Sequence, residues 1–150
     1  MIPSQAIELA KHFEGFHRVV RSGGAVTAVP YLCPAGVWTI GFGHLCRADH
    51  SPIDMEQGER YLAEDMREAY AATIRQCPGL LGEPERRLAA VVDWTFNLGA
   101  GNLASSTMRK RIRERDWHRA AIECRRWVYG GGRRLPGLVL RREREAELLI

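Results

Sequence analysis

Glu14 is the first side chain of this sequence equipped for acid–base work. It follows a stripe that Ala6, Ile7, Ala10 and Phe13 mark out at helical spacing, standing i+4 from Ala10 and i+7 from Ile7. A carboxyl at the end of an apolar face is partly desolvated, which raises its pKa and keeps the proton it would donate as a general acid. The structural alternative is a helix-end glutamate that turns to water. Two further groups stand in "YLCPAGVWTIGFGH", residues 31–44. Cys33 precedes a Pro-Ala-Gly turn, and Thr39 lies in the strand after it. A hydroxyl there can orient a water, whereas the plain alternatives are a small buried thiol and an ordinary β-former. His44, after "GFG", reads as a structural hydrogen-bond partner, because no second histidine stands at metal-ligand spacing.

These groups need elements to position them. Ser4 is expected to cap a first helix ending near Phe13, with Gly15 breaking it. Residues 16–45 are rich in Val, Thr and aromatics and are cut by Gly23-Gly24 and Pro34-Ala35-Gly36, so they read as short antiparallel strands. Pro34 suits position i+1 of a turn with Gly36 at i+3. Period 2 puts Val37, Thr39 and Gly41 on one face and Trp38, Ile40 and Phe42 on the other. The second set is larger and is expected to face a core, leaving Thr39 towards solvent or a cleft. From Asp54 onward the signals are helical. Asp54 and Gln57 have capping-box spacing, "ERRLAAVVDWTFNLG" reads as a central buried helix, and Ser105 or Ser106 and then Asp116 open two more. "CPGLLGEP" reads as a turn, "YGGGRRLPG" as a loop, and "LVLRREREAELL" as the closing helix.

Composition narrows the classes. The chain of 150 residues suits one domain, with a small β-containing lobe at about 16–50 and a helical lobe at about 1–15 and 54–150. No apolar run approaches bilayer length, and the N-terminus has no signal-peptide pattern. The four cysteines, Cys33, Cys46, Cys77 and Cys124, lack CxxC spacing, so free thiols are expected and no metal or other cofactor is implied. The net charge of +4, with its excess after residue 85, suits an anionic partner. "RKRIRER" and "RRLPGLVLRR" carry interleaved or flanking acids and read as solvated helix faces, not as a nucleic-acid surface.

Taken together, "FEGF", "PYLCPAGVWTIGFGH", "IDMEQGERYLAEDM", "DWTFNLGAGNLASSTM" and "GGRRLPGLVLRREREAELL" resemble, in order and over nearly the whole chain, the phage-type lysozymes of glycoside hydrolase family 24. The resemblance implies an α+β, mostly helical, two-lobed lysozyme-like fold. It implies hydrolysis of the β-1,4 bond between N-acetylmuramic acid and N-acetylglucosamine in peptidoglycan. Matched residue by residue, the catalytic set is Glu14, Cys33 and Thr39, with cysteine in place of the more familiar aspartate. Glu14 would be the acid, and Cys33 and Thr39 would hold the attacking water; Tyr31 and Asn97 would contact sugar. The resemblance also implies a monomer made in a bacterial cytoplasm that reaches the wall in the periplasm through a partner-made membrane hole. A lytic transglycosylase needing only Glu14, a wall-binding module and a basic nucleic-acid binder are the alternatives. One departure stands out: "HRVVRSGGAVTAV", between Glu14 and Cys33, is longer than the family pattern and reads as an inserted hairpin near the cleft.

Overall fold

The structure, a computed structural model, describes all residues 1–150. Helix α1 spans Ser4–Glu14 and ends at Gly15, whose N–H donates to the Lys11 carbonyl. Ser4 is the first helical residue and not the cap; Pro3 holds that position without a side-chain cap bond. Strands β1 (Val19–Ser22) and β2 (Ala25–Ala28) form a hairpin around Gly23-Gly24, both left-handed, the geometry of a two-residue type I′ turn. Strands β3 (Tyr31–Leu32), β4 (Trp38–Ile40) and β5 (His44–Leu45) form a separate antiparallel sheet in that order.

Helix α2 (Met55–Gln76) begins where the Asp54 carboxylate accepts from the Gln57 N–H at 2.7 Å. "CPGLLGEP" contains a 3-10 turn over Pro78–Gly82. Helix α3 (Glu85–Leu98) is buried without interruption from Leu88 to Thr95 and packs on α1, α2 and α7. It is therefore the centre of the helical lobe, and Trp94 meets Trp127 edge-on at 5.1 Å within that core. A short helix that the sequence reading did not separate, α4 (Ala100–Ser105), precedes α5 (Thr107–Arg113) and α6 (Trp117–Arg125). Ser106 and Asp116 cap the last two through their side chains.

Two expectations need correction. "YGGGRRLPG" is not a plain loop: β6 (Tyr129–Gly130) and β7 (Arg133–Arg134) pair across it. Helix α7 (Pro136–Leu149) then starts at Pro136, where a missing N–H costs nothing. Nor is the end of "RRLPGLVLRR" a solvated face, because Arg141 and Arg142 are buried among the helices.

The small lobe has its own core of Ala28, Ile40 and Ile53. Ala28 and Ile53 exchange backbone hydrogen bonds at 2.8 and 3.0 Å, stitching the base of the β1–β2 hairpin to the segment before α2. On β4 the alternation places Ile40, with Phe42 beyond it, inside as expected; Trp38, at the strand's outer end, remains 37% exposed.

Candidate active site

Between the lobes lies a cleft of about 1540 Å³, whose walls include Glu14, Tyr31, Cys33, Thr39, His44 and Asn97. Every site residue singled out in the sequence thus reaches one cavity. A second cavity, by Cys77 and Trp117, measures about 130 Å³, too small for a disaccharide.

Glu14 is delivered by the last turn of α1. Its surroundings differ from the apolar pocket expected. The Arg141 guanidinium donates to Glu14 Oε1 at 2.5 Å, and the Glu14 side chain is 20% exposed. Arg141 is itself held by Asp93, with Nε and Nη2 donating to the two carboxylate oxygens at 2.9 and 2.7 Å. Burial opposes the Arg141 charge, but Asp93, Glu14 and Glu145 outweigh it and raise the Arg141 pKa on balance. Glu145, fully buried, also accepts from Arg142 at 2.7 Å. Burial pushes its carboxyl well above the usual range, Arg142 pulling the other way and Asp93 adding to the rise.

The other Glu14 oxygen lies against Gly43. A Cβ at Gly43 would stand 2.8 Å from Glu14 Oε2, and the backbone there is left-handed at φ +81°. Both the space and the φ require glycine. This is the physical content of "GFG".

Cys33 opens the β3–β4 turn. The Gly36 N–H donates to the Cys33 carbonyl at 2.8 Å, placing Pro34 at i+1, and the Cys33 N–H donates to Val37 at 3.0 Å. The thiol is free and half-buried. Thr39 pairs with Tyr31 across β3 and β4, and its hydroxyl donates to the Tyr31 carbonyl at 3.4 Å. Thr39 is only 4% exposed, so it faces the closed inner part of the cleft. Burial pushes the Tyr31 phenol up; a hydrogen bond with Thr39 works against this, and the Glu14 and Cys33 charges add to the rise. Glu14, Tyr31, Cys33 and Thr39 all line the same cleft.

Asn97, on α3, accepts from Arg142 at 3.0 Å through its carbonyl oxygen, which leaves its amide N–H groups for a ligand. His44 Nδ1 sits 2.9 Å from Asp65, and its ring stacks on Tyr61 at 4.1 Å, tying β5 to α2. Burial raises the Asp65 carboxyl, opposed by the bond to His44.

The lobes come close at one point. Gly131, between β6 and β7, comes so near the Pro34 carbonyl that a Cβ would stand 3.2 Å from it.

Arg141 and Asp93 are the residues that sequence reasoning missed. A signal was present: Leu138, Arg142, Glu145 and Leu149 recur at i, i+4, i+7 and i+11, so the closing helix carries charges on its apolar face.

A helical lobe and a small hairpin lobe that hold a carboxyl over a polymer-sized groove define a lysozyme-type glycosidase. The sequence model of the phage lysozyme family matches residues 11–145, and the chain belongs to that family. It is 31% identical over 131 residues to a SAR-endolysin of Enterobacteria phage P21, covering 83% of this chain and 76% of the relative. It is 30% identical over 152 residues to an endolysin of Acyrthosiphon pisum secondary endosymbiont phage 1, covering 98% and 96%. Among solved structures it superposes on an endolysin from Escherichia coli O157:H7 phage FAHEc1 with a TM-score of 0.73 and 26% identity, covering 100% and 93% of the two chains. The protein is thus a glycoside hydrolase of the endolysin type that degrades peptidoglycan.

Proposed function

We propose that the chain cleaves the β-1,4 bond between N-acetylmuramic acid and N-acetylglucosamine, with Glu14 as general acid and Cys33 and Thr39 positioning the attacking water. The observation that carries this is the placement of Glu14: one oxygen is held by Arg141 and the other lies against Gly43 in the cleft that Cys33 and Thr39 also line. With Oε1 occupied, Oε2 is the oxygen left to carry the proton to the leaving group.

The transition state resembles an oxocarbenium ion, and an inverting enzyme normally pairs the acid with a carboxylate base roughly 6.5–9.5 Å away. Here a thiol and a hydroxyl stand on the facing hairpin instead. They accept hydrogen bonds from the water and fix its approach to the anomeric carbon as Glu14 protonates the glycosidic oxygen. The proton that the water loses passes to solvent, or to the Cys33 sulfur when that is a thiolate. Tyr31 and the Asn97 amide are placed to contact sugar hydroxyl and acetamido groups.

Product analysis tests this reading. Hydrolysis leaves a reducing N-acetylmuramic acid end. The second reading, a transglycosylase, is favoured by the missing second carboxylate and leaves a 1,6-anhydro end, which mass spectrometry of digested peptidoglycan distinguishes.

The chain is also proposed to act as a monomer, because the cleft is complete within it. The relative from phage P21 is named a SAR-endolysin, which supports action on the wall from the periplasmic side. No helix of this structure is long and apolar enough to cross a membrane. A hole-forming partner is the route we propose for its release.

A further inference from the structure

Three arginines line the cleft: Arg18, Arg75 and Arg141. Arg141 is bound to carboxylates; Arg18 and Arg75 have none. Arg18 differs from Arg75 in its backbone. It sits at φ +55°, a left-handed conformation disfavoured for any residue with a Cβ, and it is one of two non-glycine residues in that region. Such strain persists only where surrounding structure imposes it, and it gathers at ligand-binding positions. Here the cause is explicit. The Val29 N–H donates to the Arg18 carbonyl at 3.2 Å, closing the β1–β2 hairpin at its base. The extra hairpin is thus anchored through a strained arginine at the cleft wall.

The electrostatic setting favours an anion. Between Phe16 and Ala48 there is no Asp or Glu, so the small lobe brings no carboxylate of its own to this wall. Of the carboxyls that line the cleft, Glu14 is taken by Arg141 and Asp65 by His44, which leaves Glu68 on α2. Arg18 and Tyr31 line the same cleft. The glycan backbone of peptidoglycan is uncharged at its acetamido and hydroxyl groups. Its anionic groups are the carboxylates of the peptide stems carried on the lactyl ether of N-acetylmuramic acid. A free guanidinium at the cleft wall matches a carboxylate with two parallel hydrogen bonds.

We propose that Arg18 is a specificity-determining residue that binds a stem-peptide carboxylate, so that the inserted hairpin selects peptide-substituted glycan over bare glycan. The inference rests on the peptidoglycan hydrolase reading above.

The test compares soluble glycan strands bearing peptide stems with the same strands stripped of stems by an amidase and then capped as methylamides at the lactyl carboxylates that cleavage frees, so that no anion remains on them. Purified parent and Arg18→Gln proteins are assayed for kcat and KM on both. The expected result is a KM increase of about tenfold for Arg18→Gln on stem-bearing strands, with kcat unchanged and no effect on stripped strands. Arg18→Lys should recover part of the loss, since a point charge replaces the fork. An equal loss on both substrates, or no loss on either, overturns the proposal. Failure of the parent protein to cleave either substrate would remove the hydrolase reading first and this proposal with it. A melting curve for each variant separates a binding defect from unfolding.

Discussion

Arg141 reaches across 127 residues of sequence to hold Glu14 at 2.5 Å, and Asp93 holds Arg141 in turn. The acid of the cleft is therefore positioned from the opposite end of the chain. Helix α1 brings the carboxyl, α7 brings the guanidinium, and α3 supplies the buried anion that fixes its orientation.

Glu14→Gln should remove lytic activity with little change in stability, because glutamine keeps the oxygen that accepts from Arg141 but has no proton to give. General acid catalysis is worth roughly 10²–10⁴-fold. The measurement is the clearing rate of outer-membrane-permeabilised Gram-negative cells. A well-folded variant with near-parent activity would remove Glu14 from the mechanism.

Asp93→Ala and Glu145→Gln should differ sharply, although both carboxyls are fully buried beside arginine. Asp93→Ala leaves Arg141 without its bidentate partner and should cost about 3–5 kcal/mol, as broken buried ion pairs do. Glu145→Gln replaces a carboxyl whose pKa burial raises, and should be close to neutral near pH 7. The pH dependence has a defined sign. The folded pKa of Glu145 lies above its usual value of 4.5, so the native state binds the proton that the unfolded state releases. Stability from this group is complete below about pH 4.5 and falls as pH rises towards the folded value. Thermal melts across that range should decline less steeply in Glu145→Gln. An unchanged slope would show that Glu145 is ionised in the native protein.

Cys33→Asp should remain active, because a carboxylate accepts from the same water and is the better base. Cys33→Ala should lose roughly 10²–10⁴-fold, the usual worth of positioned proton transfer. The solubilisation rate of purified peptidoglycan checks both. Thiol labelling supplies an independent reading. Cys33 should react before the buried Cys77, whose thiol is pushed up to about 11 by burial, and before Cys46, which burial also raises. Parent-level activity in Cys33→Ala would reduce the cysteine to filling.

Gly43→Ala should slow the reaction about 10²-fold while leaving the protein folded. The new methyl would stand 2.8 Å from Glu14 Oε2, and a displacement of about 1 Å at a reacting group has that effect. A kcat equal to the parent's would mean that the acid has slack in its seat.

Deleting the stretch from Val20 to Val26 should leave a cooperatively melting protein, whereas a deletion that takes Ala28 should not. The difference follows from Ala28, which is fully buried against Ile40 and exchanges two backbone bonds with Ile53. Calorimetry of the two deletions decides the matter.

Local chemistry was legible in the sequence wherever cause and effect lie within a few residues. The Pro34–Gly36 turn, the Asp54 and Asp116 caps, the break at Gly15 and the alternation along β4 all follow from neighbours. What was hidden depends on partners far along the chain. Arg141 and Arg142 looked solvated because charge normally is, and nothing near them in sequence announces Asp93 or Glu14. Ala28 looked like part of a dispensable hairpin because its partner, Ile53, comes 25 residues later. Trp38 was placed inside by parity alone, but the sheet is too short to cover it.

Gly131 comes near enough to the Pro34 carbonyl that any side chain there would narrow the groove. A strand tied into a cross-linked net has no loose end to thread, so it has to be laid in from the side. With no side chain on Gly131, the width left at that point for a strand laid in sideways is set by backbone alone.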